Sequence, residues 1–412
     1  MNLLRPEAEP HEVGLDRDRL TRLDRHFAAY VADGRLPGWL IVVARGGRVA
    51  HLSTCGRRDV ERDLPVEVDT LFRIYSMTKP VTSVAALMLY EEGVFALTDP
   101  VSRFIPAFAD MTVYRGGSAL NPVVGPAAEP VTIWHLLTHT AGLTYGFHHA
   151  TPVDTLYRQE GFEWMTPTGA DLAACCETWA SLPLLFTPGS EWHYSVASDV
   201  LGRVVEVASG MRLDAFFAER ILGPLGMHDT GFGVSPRDRE RLAALYVVAP
   251  GSDRPTPFDD TPERDPAAPP VMLSGGAGLV SSAGDYHRFA QMLLRGGELD
   301  GVRLLGPRTV AFMTRNHLPG GVDLRSFGRA LFAETAYDGV GFGLGVSVVL
   351  DPVRTKGLGS AGEFGWGGAA STAFFVAPAE ELSVLFLTQL LPSSTHPIRP
   401  ALKQLVYSAI ID

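Results

Sequence analysis

Ser76-Met77-Thr78-Lys79 sets a hydroxyl and an amine three residues apart, between a strand-like run (Leu71 to Tyr75) and a helix-like run (Val81 to Tyr90). Residues i and i+3 share one face of a helix, so the Lys79 amine can reach the Ser76 hydroxyl. A serine hydroxyl is a weak nucleophile until a neighbouring base draws off its proton. A helix N-terminus adds positive potential, which suits a developing oxyanion. The arrangement is that of an acyl-transfer nucleophile. The spacing by itself is a short motif, and its weight depends on the company it keeps further along the chain.

The elements that must carry these residues are legible in the periodicity. Positions 16–33 place Leu20, Leu23, Phe27 and Tyr30 on one side of a helix. Two strand-like runs, Trp39 to Arg45 and Val49 to Thr54, are separated by Gly46-Gly47 and read as a hairpin. The helix after Ser76 should run to about Glu92. Positions 95–130, rich in Pro, Gly and Ala, read as loop with short helices, and Val131 to Leu137 as a short helical run. Positions 145–190 are aromatic and irregular, and 195–209 form a helix ended by Gly210. Positions 250–270, dense in Pro and Asp, are a surface excursion. A helix is expected at about 283–296, strands at Phe342 to Leu350, Ser371 to Val376 and Ser383 to Gln389, and a last helix at about 397–410.

Strands near both ends most simply complete one antiparallel sheet flanked by the terminal helices. The fold class is therefore α+β. We expect a single catalytic domain over 1–412, with an α/β lobe from about 1–75 and 270–412 and a mainly helical lobe over 76–269. A cleft between lobes is where a site is expected.

Bulk composition excludes several functions. The 412 residues are 46% hydrophobic and 20% charged, as in an ordinary soluble enzyme. The net charge of −11, with no basic block, argues against nucleic acid or an anionic membrane as partner. Cys55, Cys175 and Cys176 cannot pair into a framework and read as free thiols of a reducing compartment. No apolar run approaches a membrane span, and the N-terminus lacks a signal pattern, so a cytoplasmic location is expected.

Two further stretches succeed Ser76 and Lys79 in order. Glu191-Trp192-His193-Tyr194-Ser195 leads into a helix, and Gly365-Trp366-Gly367-Gly368-Ala369 lies between two C-terminal strand candidates. With Trp134 to Leu143 and Gly276 to Ser282, this series resembles the serine β-lactamase and penicillin-binding-protein superfamily. Within it the series is most similar to the class C β-lactamase-like esterases called family VIII carboxylesterases. The resemblance runs from about residue 12 to 410 and implies the β-lactamase/DD-peptidase-like fold. It implies Ser76 as nucleophile, with Lys79 and Tyr194 sharing the general base and acid roles. The sequence leaves open which of the two takes the proton. The backbone N–H groups of Ser76 and Ala369 would form the oxyanion hole. Gly367 and Gly368 would let substrate approach a strand closely. No metal and no organic cofactor is implied.

Departures from the β-lactamase pattern point to substrate. Val196 stands where a class C β-lactamase has the Asn of Tyr-x-Asn, and Trp366 where the third motif usually has Lys. Loss of that cation favours a neutral, apolar ester of short or medium acyl chain. Tyr145, Phe147 and Trp164 are candidates for the rim of its pocket. A β-lactamase, a D-amino-acid peptidase, an acyltransferase or a non-catalytic binding protein on the same fold are the alternatives. The oligomeric state is not legible.

Other motifs carry less. No serine sits in Gly-x-Ser-x-Gly. His135 and His139 have i, i+4 spacing but lack the adjacent Glu of a metalloprotease and an obvious third ligand, so they read as packing or hydrogen-bonding histidines. His148-His149 reads as a loop feature, and His193 either tunes the cleft or caps at the surface. Gly275 to Gly278 lacks phosphate-binding spacing.

Overall fold

The computed structural model describes residues 3–163, 169–252, 254–258, 270–329 and 337–412. Its centre is an antiparallel sheet built from β1 (Gly38–Arg45), β2 (Arg48–Asp59), β3 (Leu64–Pro65), β4 (Val340–Phe342), β5 (Ser347–Val349), β6 (Phe364–Gly367), β7 (Ala373–Ala377) and β8 (Leu382–Leu387). The spatial order is β4-β5-β6-β7-β8-β1-β2-β3. The seam between the two ends of the chain is β1 against β8, with Leu40 opposite Leu387 and Val43 opposite Val384.

Side chains alternate across this sheet, and both faces are buried. Trp39, Ile41, Val43, Phe375, Val384 and Phe386 face α1 (Arg17–Ala32) and the C-terminal helix, through Leu20, Leu23, Phe27, Leu402 and Val406. Leu40, Val42, Phe374, Leu385 and Leu387 join the other, larger core. That core includes Val84 and Ala85 of α2 (Thr78–Glu91), Val200 and Val204 of α3 (Ala197–Ser209), and Tyr286 and Phe289 of α4 (Ala283–Leu294). The C-terminal helix, α5, spans Ile398–Tyr407. The sheet flanked by terminal helices is thus the expected one.

Four readings need correction. The run 342–350 is not one strand: β4 and β5 form a hairpin, with Gly345 at φ 88° in its turn. A Cβ at Gly345 would overlap Ser83 Oγ of α2, so the turn is pressed onto the helix that carries Lys79. The third motif is more than a connection between strands: Gly365 to Gly367 belong to β6, with Trp366 opposite Phe374. Its alternate glycines hid the apolar face formed by Phe364 and Trp366. The segment 95–130 holds a β-hairpin, Thr112–Ser118 with Asn121–Pro126, besides its short helical turns. Inside 145–190, Leu172–Ser181 is an α-helix capped by Asp171. Among the described residues no helix is long and apolar enough to cross a membrane.

Candidate functional site

Ser76 lies in a single 3₁₀ turn, Tyr75–Met77, that runs directly into α2. Tyr75 has φ 43°, a left-handed conformation that a side chain resists. The residue before the hydroxyl is therefore held there by its surroundings. The Ser76 side chain, partly exposed, opens on a cavity of about 940 Å³.

Lys79, in the first turn of α2, is 1% exposed. Its Nζ donates to Ser76 Oγ at 3.2 Å and to the Gly276 carbonyl at 2.9 Å. The same atom lies 4.4 Å from the centre of the Tyr194 ring and 5.5 Å from that of Tyr145. Lys79 thus has the hydroxyl within hydrogen-bond reach and two phenol rings beside it.

The carbonyl that holds Lys79 is itself fixed. Asp199, in the first turn of α3, accepts the Gly276 amide at 3.0 Å and the Ser274 hydroxyl at 2.5 Å through one oxygen. A Cβ at Gly275 would lie 2.6 Å from the Ser198 carbonyl, and one at Gly276 2.6 Å from Asp199 Oδ2. Gly275 and Gly276 therefore make a close backbone approach to α3. Burial pushes the Asp199 carboxyl up, with the Lys79 charge acting against it.

Tyr194 is buried just before α3, and its Oη accepts a hydrogen bond from Trp366 Nε1 at 3.2 Å. His148 Nε2 donates to the Tyr194 carbonyl at 2.7 Å. The Tyr194 ring packs on His139, with centroids 5.0 Å apart, and His139 Nδ1 is 3.3 Å from Ser195 Oγ. Burial, reinforced by the Lys79 charge and His193, holds His139 well below the usual histidine range, so it is a neutral ring at neutral pH. His193 is neither at the surface nor a cap: it is buried, 2.9 Å from Thr144 Oγ1, which donates to Asp154 at 2.7 Å. Burial, with His148 adding, pushes its pKa down to about 3. His135 caps its helix, its Nδ1 accepting the Thr132 amide at 3.2 Å, and so does not pair with His139.

The third motif reaches the cavity through Trp366, Gly367, Gly368 and Ala369. Its glycines also answer to neighbours within the protein. A Cβ at Gly367 would overlap the Arg399 guanidinium, and one at Gly368 would overlap Thr372 Oγ1 and the Ile74 carbonyl. Gly368 therefore brings the end of β6 against the turn that holds Ser76. The cavity is also lined by Val196, Tyr145 and Phe147, the last two stacked with centroids 4.5 Å apart. Trp164 lies outside the described residues.

Ser76, Tyr194, Val196, Tyr145, Phe147 and the third motif thus meet around one cavity, with Lys79 buried behind Ser76 and in contact with its hydroxyl. The sequence assigned no role to Gly276, Asp199, Ser274 or Arg399. Asp199 had a signal, an acidic residue in the first turn of the helix after Tyr194; the carbonyl of Gly276 had none. Among the described residues, no group of three or more His, Cys, Asp or Glu is placed to hold a metal. The arrangement can deliver a serine oxygen to a carbonyl carbon with an amine and a phenol beside it.

The β-lactamase family model matches residues 23–408. Esterase EstB of Burkholderia gladioli is 35% identical over 97% of this chain and 98% of its own length. Protein Rv1367c of Mycobacterium tuberculosis is 37% identical over 87% of each chain. The solved structure of EstCE1, described as a hydrolase with promiscuous acyltransferase activity, superposes with TM-score 0.78 at 30% identity, covering 95% of this chain and 99% of that one. The α+β architecture is accordingly the β-lactamase/penicillin-binding-protein fold. The chain belongs to the β-lactamase family.

Proposed function

We propose that the chain is a carboxylesterase that cleaves short- to medium-chain acyl esters through an acyl-enzyme on Ser76. The observation that carries this reading is the contact of the buried Lys79 Nζ with Ser76 Oγ, 3.2 Å, at the wall of an open cavity. In the first step Ser76 Oγ attacks the ester carbonyl and its proton passes to the Lys79–Tyr194 pair. The oxyanion is held by the backbone N–H groups of Ser76 and Ala369. The pair then returns the proton to the departing alcohol, and water repeats the sequence on the acyl-enzyme.

Trp366, Val196, Tyr145 and Phe147 give the cavity wall an aromatic and apolar character that suits a neutral acyl or alcohol group. A second reading, acyl transfer to an alcohol, is favoured by the size of the cavity, about 940 Å³, which holds an acyl group and an acceptor together. The acyltransferase activity in the description of EstCE1 supports it. Both readings share the acyl-enzyme.

The test is hydrolysis of p-nitrophenyl butyrate by wild type and Ser76→Ala. Turnover that vanishes in the variant is expected. Equal turnover in both would remove Ser76 as nucleophile and end this reading. Addition of a small alcohol then separates the two: a transfer product at the expense of butyrate marks the acyltransferase.

A further inference from the structure

Arg399, in the first turn of α5, reaches across to the hairpin between β6 and β7. Its Nη2 donates to the Gly368 carbonyl at 3.0 Å and to the Thr372 carbonyl at 3.3 Å. The Gly368 carbonyl also accepts the Ser371 amide at 3.1 Å, and the Gly368 amide donates to the Thr372 carbonyl at 2.9 Å. Ser371 adopts φ 65°, a conformation normally left to glycine. Gly367 lacks a side chain where a Cβ would overlap the guanidinium. A glycine, a left-handed serine and an arginine that donates to two backbone carbonyls all converge on one peptide unit, Gly368–Ala369.

A trans peptide is planar, with its C=O and N–H pointing in opposite directions. Whatever grips the Gly368 oxygen therefore sets the direction of the Ala369 N–H. That peptide is also fixed with respect to the nucleophile, because Gly368 is packed against the Ile74 carbonyl, two residues before Ser76. A hydrogen bond from a charged donor is roughly twice as strong as a neutral one. It also draws electron density onto the carbonyl oxygen, which leaves the N–H on the far side of the same amide a better donor.

We propose that Arg399 is a positioning residue for the oxyanion hole: it fixes the plane of the Gly368–Ala369 peptide and polarises it, so that the Ala369 N–H binds the substrate oxygen more tightly as that oxygen becomes negative. The inference rests on the reading of Ala369 as an oxyanion donor. Arg399 also borders the cavity, but in this role it acts through the peptide, and its contribution is made in the transition state rather than in the bound ester.

The test compares Arg399→Met, which cannot donate, and Arg399→Lys, which keeps the charge without the planar fork. The readouts are kcat and KM for the uncharged ester p-nitrophenyl butyrate, and the affinity of an alkyl boronic acid that adds to the serine. For Arg399→Met, kcat is expected to fall on the order of tenfold or more with KM unchanged, and boronate affinity to fall by a similar factor. Arg399→Lys should recover part of both. A raised KM with kcat unchanged would make Arg399 a substrate contact instead and overturn the proposal, as would wild-type values throughout. If Arg399→Met does not fold, Arg399→Lys alone decides: lowered kcat at constant KM supports the role, and undiminished kcat with undiminished boronate affinity overturns it. Failure here differs from failure of the esterase reading, which requires that Ser76→Ala keep its turnover.

Discussion

Lys79 Nζ is held between Ser76 Oγ at 3.2 Å and the Gly276 carbonyl at 2.9 Å, so the amine is aimed by a loop 197 residues away in sequence. The buried Asp199 fixes that loop through the Gly276 amide. An amine so constrained leaves little room for a substitute. Lys79→Ala should lower kcat for p-nitrophenyl butyrate by about a hundredfold or more, the usual contribution of a positioned base. Lys79→Arg should not restore it, because a guanidinium does not give up its proton and needs more width. Steady-state kinetics on both variants check this, and a Lys79→Ala enzyme within a few-fold of wild type would refute the assignment.

Tyr194 and Trp366 share one hydrogen bond but should respond differently to substitution. Tyr194→Phe removes the oxygen assigned to proton transfer, and kcat should fall about a hundredfold. It also orphans the Trp366 N–H, costing about 1 kcal/mol of stability. Trp366→Phe leaves the phenol in place, so kcat should stay within about fivefold while KM rises. Equal kcat losses in the two variants would show that the hydrogen bond, rather than the phenol oxygen, matters.

What the sequence made legible divides along a physical line. Local signals were readable: Leu20, Leu23 and Phe27 announced α1, and the observed helix, Arg17–Ala32, lies within one residue of the 16–33 reading. Ser76 and Lys79 were found because they are near neighbours on one helical turn. Gly276 was noted as part of a motif, but the role of its carbonyl was invisible, since a backbone carbonyl has no letter of its own. Gly367 and Gly368 were noticed, but their further part was not: they make room for Arg399 and the Ile74 carbonyl, partners set by the fold. Leu172–Ser181 was missed although Leu172, Cys175, Cys176 and Trp179 keep helical spacing, because the aromatic, proline-rich surroundings masked its short period.

Gly368→Ala should injure both the fold and the site. Its Cβ would overlap the Ile74 carbonyl, and backbone cannot swing aside as a side-chain tip can. Overpacking of this kind costs about 1–3 kcal/mol. Urea unfolding should report that loss, together with a kcat reduced at temperatures where the variant is still folded. Gly345→Ala combines the same kind of overlap, with Ser83, and a strained φ of 88°, so a comparable stability loss is expected without any change in a group that faces substrate.

Stability should fall on mild acidification. Burial pushes His193 down to about 3 and His287 to about 4 from an ordinary 6.5. Between pH 6.5 and those values the unfolded chain takes up protons that the folded chain refuses. Each group therefore favours folding above pH 6.5, and that contribution is lost as pH drops, with a slope of at most about 1.4 kcal/mol per pH unit per group. Asp285 opposes them: burial raises it from 3.8 to about 6, so its own contribution is fullest below 3.8 and is lost as pH rises through 6. Urea unfolding from pH 7 to pH 4 should show the net decline, and His193→Gln should flatten it. An unchanged slope in that variant would mean that His193 accepts its proton without unfolding.

Phe147 tests the apolar wall assigned to substrate. It stacks on Tyr145, which in turn packs on the Tyr194 ring with centroids 5.4 Å apart, so the aromatic series leads from the rim to the proposed catalytic phenol. Phe147→Ala removes the outer member while leaving Tyr145 and Tyr194 in place. Binding of an apolar acyl or alcohol group should weaken by about 1–2 kcal/mol, read as a KM raised roughly five- to thirtyfold at nearly constant kcat. The loss should grow along a series from p-nitrophenyl acetate to butyrate to hexanoate if the acyl chain lies on this wall. A uniform KM increase across the series would instead put the alcohol group there. A KM unchanged for every ester would remove Phe147 from the substrate site.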